Sequence, residues 1–218
     1  MDMDDLMIPE HPNSDELLIW RILGKLESLA LRRYESAVPQ LATPEKRELV
    51  NRLLAKAPDD AALDATPLGA PVRELISAAD SGDQTGTLIV QGFILERLGQ
   101  VIYKILSAHQ AASQATRELA TAGSAVCSHV IGQATHLLRE QIGGGEPLQD
   151  LFFSTADGVL RRLDGLGEGV DRHFGQRFGL TFSELLGEFT ADLLPACMDL
   201  GMSRRKLVCR LAGVFMGV

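Results

Sequence analysis

The sequence predicts an all-α fold, an antiparallel bundle of four main helices with additional helices at its C-terminal end. Three observations lead there. Aromatic residues make up only 5% of the 218 positions while Ala, Leu, Glu and Arg are common, a mixture that favours helices over strands. Long stretches repeat their apolar residues at helical spacing. Between them fall proline, glycine and N-cap signals that divide the chain into segments of helical length. The length suits one sizeable core, and 45% hydrophobic with 23% charged residues is an ordinary globular composition. The expected organisation is a flexible acidic N-terminus over 1–12 and a single helical domain over 13–218, with a core bundle over 13–142 and C-terminal helices over 147–218.

Asn13 and Glu16 have capping-box spacing, so a first helix is expected from there to about Val38. At about 100° per residue, Arg21, Lys25, Ser28, Arg32 and Glu35 gather on one side, and Trp20, Leu23, Leu26, Ala30, Leu31 and Tyr34 on the other. Glu27 falls within the second set. Thr43 as N-cap and Pro44 at the first helical position open a short second helix that ends at Pro58. Residues 59–70 read as a loop, succeeded by a short helix over 71–79. The longest apolar run, Thr85–Leu106, predicts a central helix over 84–110. Arg97, Gln100 and Lys104 make a narrow polar stripe on it, and Glu96 lies off that stripe in line with Gly92, Gly99 and Tyr103. A fourth long helix is expected over 113–142, stopped by Gly143–Gly145. It would turn Leu119, Val126, Val130, Ala134 and Leu137 inward and His129 and His136 to solvent. Then come a helix over 147–163, a glycine-rich loop over 164–179, and a helix opened by the Thr181–Glu184 capping box. Pro195 should kink or break that helix. A basic last helix from Ser203 could lie on the acidic face of Glu184, Glu188 and Asp192.

Charge and cysteine usage remove several function classes. The net charge is −8, whereas a nucleic-acid surface needs clustered Lys and Arg. The one compact basic cluster is Arg204, Arg205, Lys206 and Arg210, so no nucleic acid is expected. Cys127, Cys197 and Cys209 are widely spaced and form no CxxC pair, which points to a reducing cytoplasm. The acidic N-terminus lacks the basic and apolar regions of a signal peptide. Gln91, Glu96, Arg97, Gln100 and Lys104 interrupt the Leu88–Leu106 run, so it reads as a buried helix and not a membrane span.

Glu27 and Glu96 are the chemically telling pair. A carboxylate on an apolar face is expensive to bury unless it is neutralised, hydrogen-bonded or bound to a cation. Two of them on two long helices can converge inside a bundle. Helix one with Glu27, the segment QGFILERLGQVIYKIL with Glu96, and the stretch SAVCSHVIGQATHLL together resemble the ferritin-like di-iron carboxylate proteins over about residues 14–142. That resemblance implies Glu27 and Glu96 as metal ligands, iron as cofactor, and an oxidase or oxygenase activity on a small-molecule substrate. It also implies Tyr34 and Tyr103 as catalytic neighbours of the metal, in hydrogen-bonding or redox roles. The family builds its site from one Glu on each of two helices and a Glu-x-x-His pair on each of the other two. Here Ala125 and Ser128 stand at the aligned pair, His129 is one residue out of register, and the helices over 44–57 and 71–79 contain no such pair. The ligand set is therefore incomplete. The alternative is a degenerate relative, a non-catalytic helical interaction or regulatory module with a protein partner or a second copy of itself as a homodimer.

Overall fold

A computed structural model of the chain describes residues 14–56, 61–80, 83–175, 178 and 181–215. Helix α1 spans Ser14–Ala37, α2 Pro44–Lys56, α3 Ala61–Asp64 and α4 Gly69–Ala79. The central run comprises α5 (Gln84–Thr87), a π-helical segment (Leu88–Leu95) and α6 (Glu96–Ala108) without a break. Beyond it lie α7 (Gln114–Ile142), α8 (Glu146–Asp164), α9 (Gly167–Val170), a second π segment (Asp171–Gly175), α10 (Phe182–Asp199) and α11 (Arg204–Phe215). No strand occurs among the described residues. The fold is the expected all-α ferritin-like bundle. Helices α1, α2, α6 and α7 enclose the centre, α8 lies against α4 and the first π segment, and α10 packs on α6.

The local signals explain most of the element ends. Thr43 caps α2, its Oγ1 accepting from the Lys46 backbone N–H at 3.2 Å. Ser113 caps α7 by accepting from Thr116 N–H, and α7 ends at Gly143 with φ 79°, a left-handed conformation in which glycine carries no Cβ strain. The Thr181–Glu184 capping box is formed in both directions. Asn13 lies outside the described residues. Its expected capping partner, Glu16, instead turns its buried carboxylate to the start of α7, accepting from Ser113 N, Ser113 Oγ and Thr116 Oγ1 at 2.9 Å each. A residue on α1 thus ties down the start of α7.

Several segments differ from expectation, each because packing outweighs local propensity. The loop expected over 59–70 contains the short α3. The loop expected over 164–179 holds α9 and the second π segment, where Gly169, Val170 and Phe174 are buried. A Cβ on Gly169 would collide with the Leu68 side chain, so glycine there permits contact rather than flexibility. Pro195 does not break α10, which runs through it to Asp199. The basic last helix does not lie on the acidic face, since Lys206 pairs with Glu146 at 2.7 Å. The polar stripe of the central run is largely internal: Arg97 and Gln100 are buried, with Arg97 paired to Asp192 at 2.7 Å and Gln100 bonded to Ser128.

The π segment carries the main consequence for the centre. The Glu96 N–H donates to Gln91 O, five residues back instead of four. Each extra residue per turn rotates the rest of the helix by about 100° relative to an uninterrupted α-helix. The segment therefore sets the direction in which Glu96 enters the core, and all eight of its residues are buried.

Candidate functional site

The centre takes one reactive side chain from each of four helices: Glu27 from α1, Lys46 from α2, Glu96 from α6 and Cys127 from α7. All four are buried, with Lys46 and Cys127 at 0% exposure, Glu96 at 2% and Glu27 at 5%. The Lys46 ammonium bridges the two carboxylates, donating to Glu27 Oε2 and to Glu96 Oε1. Tyr34 donates to Glu96 Oε1 at 2.8 Å, and Tyr103 donates to Glu27 Oε1 at 3.0 Å. The Cys127 thiol lies 3.8 Å from the same Glu27 oxygen. Glu96 Oε2 is buried and has no protein partner.

Glu27 and Glu96 thus meet, and Tyr34 and Tyr103 stand as hydrogen-bond donors to them. The histidines do not join. His129 is exposed, and His136 is 70% exposed and faces Glu140 at 3.2 Å. Lys46 was missed by sequence reasoning, although a signal existed. Lys46, Leu49, Val50 and Leu53 repeat at intervals of three and four residues, and all four are buried on one face of α2. A lysine on an apolar stripe is the cationic counterpart of the two stray glutamates. Cys127 is buried in the core and also borders the carboxylates.

Glycines shape the walls. A Cβ on Gly92 would come within 2.8 Å of Ala134 Cβ, so this glycine permits close approach of the π segment to α7. A Cβ on Gly123 would come within 2.7 Å of the Tyr103 ring, so Gly123 makes room for that phenol. Gly99 differs: a Cβ there would sit 3.7 Å from Glu27 Oε1, at ordinary contact distance.

The electrostatics reflect burial and pairing. Burial pushes the Glu96 carboxyl above the usual range, and the Lys46 ammonium only partly offsets this. For Lys46, burial favours the neutral amine, but Glu27 and Glu96 outweigh it and the group is held protonated above its ordinary range. Burial, and after it the neighbouring carboxylates, raises both phenols and the Cys127 thiol. Neither tyrosine nor the cysteine ionises easily here.

The donor chemistry tests whether a two-iron centre fits. Atoms of Glu27, Glu96 and Cys127 lie within 4.8 Å of one another, three potential ligands for a cation. A two-metal site of the ferritin-like type draws a Glu-x-x-His pair from each of two helices. Here α2 and α7 supply a lysine and a cysteine, and no imidazole joins the cluster among the described residues. The space between the carboxylates is filled by an ammonium that both already contact. This set does not fit two irons.

Elsewhere, the face of Glu184, Glu188 and Asp192 lines an open cleft of about 650 Å³ together with Val101, Lys104 and Phe178. Asp192 is engaged by Arg97, and Glu184 closes its own capping box. No helix among the described residues is long and apolar enough to cross a membrane.

No protein-family model and no curated protein matches the chain. Among solved structures, the chain is similar to Protein 19 with aldehyde deformylating oxidase activity from Synechococcus, with a TM-score of 0.67 and 13% identity, covering 94% of this chain and 93% of that one. At that identity the likeness is one of fold, an all-α ferritin-like bundle along nearly the whole chain.

Proposed function

We propose that this protein is a degenerate, metal-independent relative of the ferritin-like oxidases: a non-catalytic helical module toward outside substrates, with an internal cation where such proteins hold metal. The observation that carries this reading is the fully buried Lys46 ammonium shared between Glu27 and Glu96. A buried carboxylate pair requires a compensating charge, and α2 supplies it covalently. A metal would have to displace that ammonium, then make do with two carboxylates and a thiol held protonated by burial.

A second reading, an iron-dependent oxidase acting on a small molecule, draws on the activity named for the structural neighbour and on the Glu27, Glu96 and Cys127 cluster. Metal analysis of protein purified from iron-supplemented cells separates the two. The metal-independent reading expects far less than one metal per chain and a melting temperature unchanged by chelator. About two irons per chain, with destabilisation on chelation, would overturn it.

A further inference from the structure

We infer that Lys46 and Glu27 condense to an amide, so that an intramolecular isopeptide bond joins α2 to α1 at the heart of the bundle. This rests on the metal-independent reading and deepens it, since the lysine then acts as a nucleophile on its own fold.

The parts of such a reaction are assembled around one carbon. The Lys46 nitrogen contacts Glu27 Oε2. The other oxygen of that carboxyl, Oε1, is held by the Tyr103 hydroxyl at 3.0 Å, a donor placed where charge develops as the carbonyl is attacked. The two oxygens of Glu27 are thereby differentiated, one to remain as carbonyl and one to leave. Glu96 is arranged otherwise. Its Oε1 takes both Lys46, at 2.5 Å, and Tyr34, at 2.8 Å, while its Oε2 has no protein partner. The Lys46 nitrogen thus spans Glu96 Oε1 and Glu27 Oε2, so a proton can pass between the two carboxyls across it. Burial raises the Glu96 carboxyl above its usual range, which favours the protonated form that the step passes through.

The step balances without oxidant or cofactor. Glu96 takes a proton from the Lys46 ammonium and passes it to Glu27 Oε2, so that a neutral amine faces a neutral carboxyl, and the amine attacks Glu27 Cδ, forming the N–C bond. The carbonyl electrons move to Oε1 against the Tyr103 O–H and return as the Cδ–Oε2 bond breaks. Of the three ammonium hydrogens, one stays on the amide nitrogen and two leave with Oε2 as water, one of them by way of Glu96. Glu96 ends as it began.

Two physical features favour the product. The reaction removes one buried cation and one buried anion together, leaving net charge unchanged, and the Glu96 carboxyl that remains keeps the Tyr34 donor in surroundings whose burial favours its protonated form. The surrounding side chains are 0 to 5% exposed, so once the released water has escaped the centre, little returns to reverse the step.

The test is the intact mass of the purified, denatured full-length chain, with peptide mapping of the same sample. The expected mass is one water below that of the sequence. Mapping should yield a branched peptide joining Glu27 to Lys46, with trypsin failing to cut after Lys46. Glu96→Gln, checked for retained helicity, is expected to recover the full sequence mass. A wild-type chain at full sequence mass overturns the inference, with no need of any variant. A bond mapped to Glu96 instead overturns the assigned roles, as does a folded Glu96→Gln chain that still loses water. Metal-free protein at full mass sinks the cross-link alone, whereas two irons per chain sink the metal-independent reading as well.

Discussion

Replacing Lys46 with methionine tests the centre most directly. The substitution keeps an unbranched stem of similar length and removes the charge. Glu27 and Glu96 are then left inside the bundle at 5% and 2% exposure, and Glu27 becomes an uncompensated buried carboxylate whether Lys46 holds it in the wild type as an ion pair or as an amide. Removing one partner of a buried pair is worth about 3–5 kcal/mol. For a chain of this size, at about 2–4 °C per kcal/mol, the melting temperature should fall by roughly 6–20 °C at neutral pH. The sign of the pH dependence is fixed. Carboxyls buried without a cation have folded-state pKa values above their unfolded ones, so they bind more protons when folded. Their penalty is absent below the unfolded carboxylate pKa and grows as pH rises through the folded value. Lys46→Met should therefore be least stable near neutrality and recover part of its loss on acidification, relative to wild type. Thermal melts monitored by circular dichroism between about pH 4 and 8 read this out. Whatever loss remains at acid pH measures the link between α1 and α2, because that part does not titrate. A variant as stable as wild type at pH 7, or one that worsens on acidification relative to wild type, would refute the reasoning.

Three more substitutions probe the same geometry. Gly123→Ala should destabilise by about 1–3 kcal/mol, because its Cβ would come within 2.7 Å of the Tyr103 ring; chemical denaturation measures it. Gly99→Ala, whose Cβ meets only ordinary contacts of 3.7 Å and longer, should be neutral or stabilising by up to about 1 kcal/mol through helix propensity. Tyr34→Phe removes the 2.8 Å donor to Glu96 and should lose about 1–3 kcal/mol by denaturant titration, the share of a buried acceptor left short of a partner.

The architecture was legible because its signals are local. Caps at Thr43, Ser113 and Thr181, the stop at Gly143 and the apolar periodicity of α1 and α7 all act within a few residues. Glycine misled where its use was tertiary. The 164–179 segment reads as a loop by composition, but Gly169 is there to admit Leu68. The acidic face of α10 misled similarly, since periodicity shows a shared face without showing that Arg97 and the helix cap take two of its three acids.

The sequence by itself determined that the protein is a helical bundle, and that two glutamates lie on faces otherwise meant for the core. A helical wheel suffices for both, because face and spacing are properties of one segment. Only the tertiary structure decided what neutralises those carboxylates. The answer depends on residues 27, 46, 96 and 127 meeting across four helices, and on a π segment whose extra residue per turn sets the direction of Glu96. The ferritin-like resemblance implies iron. The fold brings an ammonium from α2 into the same space, and the chemistry open to the centre changes with it.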